Sequence, residues 1–241
     1  MTETSSRTVT ANGRSFLIRH PTSEILGTVI QDVFDGREYP LVLPGEFRPQ
    51  LIVDVGANVG AAAIWFHAKY PDAKIISYEP SPGLFEYLER NTHNIQQINI
   101  CNVGLYDRDT ESLLYLGANN AAQNSVIAHD ATSGQTETVF LRQASSELTA
   151  LGVSRISILK IDTEGCEVPI LRDLRDWLDR IDSVYVEYHS EADRRAIDTM
   201  LGDHFYLIHA TVHFPNLGTL VYLSHECARR AAMFISPPLN G

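Results

Sequence analysis

Little in this chain points to a membrane, a disulfide framework or a nucleic acid. No stretch approaches the roughly 18–20 consecutive apolar residues that span a bilayer. The opening segment, MTETSSRTVTANGRS, is polar and lacks the apolar core of a secretory signal, so the expected compartment is the cytoplasm. Cysteine is scarce. Cys101, Cys166 and Cys227 are odd in number and far apart, and they form neither a CxxC pair nor a zinc spacing. Reduced thiols are the expectation. Basic residues are outnumbered 19 to 30, for a net charge of −11, and no Lys/Arg run offsets the excess. Such a surface repels phosphate backbones, which argues against nucleic acid as a partner. Self-association into a homo-oligomer stays open.

What is present reads as a globular α/β chain. The 241 residues suit one large domain with a small appendage. Residues 1–50 are loosely patterned and are expected to form an N-terminal cap of short strands or turns. From residue 51 the pattern alternates between LIVDV, VGAAAIWFHAKY, KIISYE, PGLFEYLERNTHN and INICNVGLY, a βαβαβ series that implies a parallel sheet with right-handed crossovers. Strand candidates ESLLYLG and ETVFLR flank a long polar stretch, ANNAAQNSVIAHDATSGQ, expected to be a loop over the site. RISILKID, EVPILRDLRDWLDR, SVYVEYH and EADRRAIDTMLGD then continue the alternation as strand, helix, strand and helix. FYLIHATV and TLVYLSH are too close for a helical crossover, so they should pair antiparallel. A mostly parallel sheet with helices on both faces, closed by a C-terminal antiparallel hairpin, is the layout of the class I methyltransferase Rossmann-like fold. The core is expected over 51–225, with a tail over 226–241.

The turn after LIVDV carries the first chemical signal. Its sequence is GANVG, not GxGxxG. Gly56 and Gly60 are expected to let the backbone approach a ligand. A diphosphate needs several backbone N–H groups and a helix N-terminus, whereas Asp54 puts negative charge beside this turn. A cationic ligand fits better, and S-adenosylmethionine carries both a sulfonium and an ammonium. Asp54, Gly56, Asn58 and Gly60 are therefore expected to bind that cofactor. Glu79, in SYEPSP, lies 19 positions after Gly60, where a carboxylate accepts ribose hydroxyls. Asn102 is expected either to reach the adenine or to hold its own turn.

The second signal is LKIDTEGCEVPIL with VEYHS. Asp162 ends one apolar strand, and Glu187 and His189 end the next on one face. A charge ending an apolar strand is costly unless it has a use. Asp162, Glu164 and His189 are the expected catalytic residues. Lys160 and Glu187 are expected to face the acceptor, with Asn124 and Ser125 supplied by the polar loop. Glu167 suits a helix N-terminus, Cys166 reads as small filler, and Tyr39 is expected over the cofactor. Methyl transfer to an aliphatic hydroxyl needs orientation and removal of a proton. Either His189 or Asp162 serves as base, or Asp162, Glu187 and His189 hold a divalent cation that acidifies the hydroxyl. The metal-free arrangement is preferred.

Together VDVGANVG, YEPSP, NVGL, LKIDTEGCEVPIL and VEYH resemble the FkbM family of S-adenosylmethionine-dependent methyltransferases over about residues 50 to 190. The resemblance implies a class I fold and O-methylation of a small molecule such as a sugar, glycoside or polyketide-like natural product. It also implies cofactor binding by Asp54, Gly56, Asn58, Gly60 and Glu79. Two other readings stay open: methylation of another acceptor atom, which the absence of an NPPY segment disfavours for nucleobase or amide nitrogen, and a non-catalytic cofactor-binding partner.

Overall fold

A computed structural model describes residues 3–117, 124–125 and 132–231 of the chain. Most of the polar loop around Asn124 and Ser125, and most of the tail after residue 225, lie outside the described residues.

The N-terminal segment is more regular than its sequence suggests. β1 (Thr4–Ala11) and β2 (Arg14–Pro21) form an antiparallel hairpin, followed by α1 (Glu24–Phe34). The helix starts where the Ser23 hydroxyl accepts the Leu26 N–H. Leu26, Ile30, Val33 and Phe34 are buried at helical spacing. They share one core with Val9, Ala11 and Ile18 of the hairpin and with α2 (Ala61–Lys69). The cap is thus packed onto the central layers rather than hung beside them. It buries one face of α2 while the sheet buries the other, which is why α2 is apolar almost all round.

The main sheet is built from β3 (Leu51–Val55), β4 (Lys74–Tyr78), β5 (Ile98–Cys101), β9 (Ile156–Ile161), β10 (Ile181–Tyr188), β11 (Phe205–Phe214) and β12 (Leu217–Ser224). Its order is β11-β12-β10-β9-β3-β4-β5. The pairs β10–β9, β9–β3, β3–β4 and β4–β5 are parallel, and β12 runs antiparallel to both β10 and β11. This is the class I methyltransferase sheet with the expected closing hairpin. Between these strands come α3 (Pro82–Thr92), β6 (Gly104–Tyr106), β7 (Thr110–Gly117), β8 (Thr132–Gln143), α4 (Ala144–Ala150), α5 (Glu167–Asp173), a 3-10 turn (Arg175–Arg180) and α6 (Glu191–Leu201), and α7 (His225–Arg230) follows β12. Among the described residues, no helix is long and apolar enough to cross a membrane.

Two sequence expectations merge elements that the structure separates. INICNVGLY is two strands in two sheets: β5 belongs to the main sheet, and β6 pairs with β8 in a three-stranded sheet ordered β6-β8-β7. The Asn102 side chain fixes the bend by donating to Glu79 O at 2.9 Å and Pro80 O at 3.3 Å. EVPILRDLRDWLDR stops being α-helical at Asp173. The tighter turn that follows helps bury Leu174, Trp177 and Leu178 in one core.

Candidate active site

Strand order reverses between β3 and β9, and the carboxyl ends of these two strands meet. The Asp162 N–H donates to Val55 O at 3.1 Å. Gly56 has φ +78°, and a Cβ there would lie 1.8 Å from the Asp162 carbonyl oxygen. Only glycine closes this junction. A cavity of about 900 Å³ opens above it, lined by residues including Gly56, Asn58, Glu79, Asp162, Glu187 and His189. That is the place where open α/β sheets take ligands, and the volume is of a ligand-binding size.

Beneath the turn lies a buried ion pair. Asp54 is fully buried and faces Lys160, which is 1% exposed, at 3.1 Å. The Lys160 ammonium also donates to Gly56 O at 2.6 Å and Val55 O at 3.3 Å, and stands 3.5 Å from Asp162. Burial works against its charge, but Asp54 and Asp162 outweigh it and lift the lysine above its usual value. Two expectations change accordingly. Asp54 does not meet a ligand directly, because Lys160 covers and neutralises it. Lys160 does not reach for an acceptor, because its donors are already engaged. Gly60 also differs from expectation. It begins α2 at φ +89°, and a Cβ there would press on Leu88 Cδ1 of α3 at 2.8 Å. It serves helix packing rather than ligand approach.

Glu79 stands at the cavity wall. Its carboxylate accepts the Asn58 N–H at 2.8 Å and the Ser81 N–H at 2.9 Å. Burial pushes it up to about 7, with the two N–H groups pulling the other way. Asn58 takes a left-handed φ of 52°, and its side chain accepts the Val59 N–H. Asn102 turns away to the carbonyls of Glu79 and Pro80, so the turn-holding alternative is the one realised.

On the other side of the junction, Asp162 accepts the Tyr39 hydroxyl at 2.9 Å. Tyr39 is thus a partner of Asp162, and it also lines the cavity. Burial raises Asp162, but Lys160, a hydrogen bond with Glu187 and His189 bring it below the ordinary carboxylate value. Burial and the Asp162 charge drive Glu187 well above it. The opposed shifts favour a proton on Glu187 over one on Asp162. His189 Nε2 lies 3.1 Å from Glu164 and 3.6 Å from Glu187, and Nδ1 lies 3.7 Å from Glu167. Burial opposes its charge, yet Glu164 and Glu167 raise it to about 12, which favours the protonated ring. That disfavours His189 as the base. Asp162, Glu164, Glu187 and His189 each bring one ligating atom within 4.8 Å of the others, so the set has the donors for a divalent ion. The imidazolium also balances their charge internally.

Glu167 closes the turn by accepting the Thr163 and Gly165 N–H groups. Cys166 is buried, and its thiol is pushed up to about 12 by burial and then by Glu167, which leaves it unreactive. Ser125 donates to Glu164 O at 2.5 Å, which ties this residue to the turn after β9. Asn124 accepts the Gly117 N–H and lines the cavity.

A family model described as the methyltransferase FkbM domain matches residues 54–214, about two thirds of the chain. The chain belongs to the FkbM methyltransferase family. Methyltransferase 1 of Beauveria bassiana is 31% identical over 174 residues, covering 62% of this chain and 69% of that protein. The 31-O-demethyl-FK506 methyltransferase FkbM of Streptomyces tacrolimicus is 26% identical, covering 66% and 70%. Aeropyrum pernix fibrillarin, solved with natively bound S-adenosyl-L-methionine, shares the fold at 12% identity and a TM-score of 0.50, over 90% of this chain and 82% of that one.

Two residues of this FkbM-family cavity escaped the sequence reading. Glu38 follows α1, and His213 sits at the tip of the β11–β12 hairpin. They meet at 3.5 Å. GREYP and VHFPNLG carry no periodic or motif signal, so only the tertiary fold brings this pair together.

Proposed function

We propose that this chain transfers the methyl group of S-adenosylmethionine to a hydroxyl of a small molecule such as a sugar, glycoside or polyketide-like natural product. The observation that carries this is a single cavity at the strand-order reversal with two differently equipped walls. Gly56, Asn58 and Glu79 form one wall, and Asp162, Glu187 and His189 form the other. When bound, the cofactor supplies an activated methyl group on a sulfonium.

The residues present fit that cofactor. Each Glu79 oxygen holds one backbone N–H and retains acceptor capacity for the ribose diol. The turn at Gly56 carries no side chain to block close approach. The net cation is matched by the carboxylates facing the cavity, since Asp54 is already neutralised. Asp162 is the group that receives the acceptor's hydroxyl proton. Tyr39 and Lys160 hold it in place, and protonated Glu187 orients it from the side. His189 supplies positive charge to the carboxylate cluster.

Calorimetric titration with S-adenosylmethionine tests the reading directly, and a chain that takes up no cofactor overturns it. The rate of labelled-methyl transfer is expected to be unchanged in EDTA; loss of activity restored by a divalent ion would assign the second wall to a metal.

Cofactor binding should also release protons. The raised Glu79 favours folding while protonated. That contribution is complete below its ordinary value of 4.5 and is lost as pH rises through about 7. Ribose hydroxyls donate to the ionised form and pull the group back down. Cofactor affinity should therefore climb between about pH 6 and pH 8. Binding heats near neutrality should differ between buffers of different ionisation enthalpy. Identical heats in all buffers would remove Glu79 from the ribose.

A further inference from the structure

α1 has two working faces. Leu26, Ile30 and Val33 are buried on its core face, where they also border the cavity. Ile25, Thr28, Val29 and Asp32 recur at i, i+3, i+4 and i+7 on a second face, and all four line the cavity. Ile25 is half exposed, at 50%. The β11–β12 hairpin tip lines the same cavity with Phe214, Pro215 and Leu217. A register shift between Val212 and Phe214 marks an irregularity at this tip. Phe214 is 68% exposed, which leaves a large apolar surface at the cavity mouth.

Below this apolar rim lies a polar floor. Glu38 and His213 are in contact, and with Glu187 they bring one polar atom each within 4.8 Å of one another. Glu187 belongs equally to the Asp162 cluster, so floor and reactive centre are continuous. The charge is one-sided. Among the described residues, seven carboxyl groups line the cavity against two cations: the Lys160 ammonium, already engaged by Asp54 and two carbonyls, and the His189 ring, already beside Glu164 and Glu187.

We infer that α1 and the hairpin tip form the acceptor subsite, and that it takes an uncharged or cationic polyhydroxylated molecule with an apolar face while excluding anionic acceptors such as uronic acids and sugar phosphates. The apolar rim covers the ring or aglycone. Glu38, His213 and Glu187 hold the hydroxyls. Among the described lining residues each cation already faces a carboxylate, so none is left for an acceptor's carboxylate or phosphate, and an added negative charge meets the Asp162 carboxylate and the acidic groups around it. This rests on the methyl-transfer reading above and narrows its substrate.

Three probes that share an apolar aglycone test it: 4-nitrophenyl β-D-glucoside, the glucosaminide (cationic at pH 7) and the glucuronide. Their binding to the full chain is measured by calorimetry with S-adenosylhomocysteine present. The glucuronide should bind at least about tenfold more weakly than the other two. Glu38→Gln should narrow that gap to about threefold. Phe214→Ser, at an exposed position, should weaken glucoside binding about tenfold with Tm unchanged. A glucuronide bound as tightly as the glucoside, a wild-type chain that binds none of the three, or a Phe214→Ser chain with undiminished affinity would each overturn the subsite. Cofactor affinity on the same samples keeps the two readings apart. Ranked probe binding without cofactor binding would sink the methyl-transfer reading alone, and cofactor binding without probe binding would sink the subsite alone.

Discussion

Asp162→Asn is expected to lower kcat by about 10²–10⁴-fold, the usual contribution of a positioned proton acceptor. Affinity for S-adenosylmethionine should stay within about threefold. Asparagine has nearly the shape of aspartate and can still accept the Tyr39 hydroxyl, which reaches Asp162 at 2.9 Å. Lys160 keeps Asp54 at 3.1 Å. What disappears is the capacity to take a proton. Single-turnover transfer of labelled methyl, measured beside calorimetry of the cofactor, separates the two effects. His189→Gln is the informative companion. If the imidazolium only balances charge, its loss should raise the apparent pKa of the carboxylate cluster and move the pH profile upward, without the full drop seen for Asp162→Asn. An Asp162→Asn enzyme with ordinary turnover would remove the base from this strand end.

Lys160→Met should be the most destabilising single change discussed here. Asp54 is fully buried, and its remaining hydrogen bond comes from the Ser77 hydroxyl at 3.3 Å. Removing one member of a buried pair typically costs about 3–5 kcal/mol, because the other charge stays behind without its partner. Urea denaturation should show the midpoint falling with m unchanged. The double variant Lys160→Met, Asp54→Leu removes both charges and should recover much of the loss. If it proves as unstable as Lys160→Met alone, the pair does not account for the lysine's role.

Much of the fold was legible because each element carries its own pattern. LIVDV, KIISY and SVYVEY read as buried strands, and the short spacing between the last two strands fixed their antiparallel pairing. α1 was missed: Leu26, Ile30 and Val33 carry helical spacing, but the glycine- and proline-rich segment beyond them led residues 1–50 to be read as short strands or turns. The site was legible where chemistry sits at the end of a strand, as with Glu79, Asp162, Glu187 and His189. It was misread where the partner comes from another strand. Asp54 looks ligand-facing in sequence, yet the β3–β9 register sets it directly beside Lys160. Tyr39 and Asp162 are 123 residues apart, and no local periodicity records their hydrogen bond. His189 reads as a base until the three carboxylates around it are counted.

The missing side chain at Gly56 has a mechanical consequence. With the Asp162 carbonyl occupying the space a Cβ would need, the turn at Gly56 and the strand end at Asp162 are joined into one tight block. On the proposed reading, the donor's seat and the proton acceptor are therefore held at one junction. The rim made by α1 and the hairpin tip lies outside that block, so substitutions there leave the junction itself untouched.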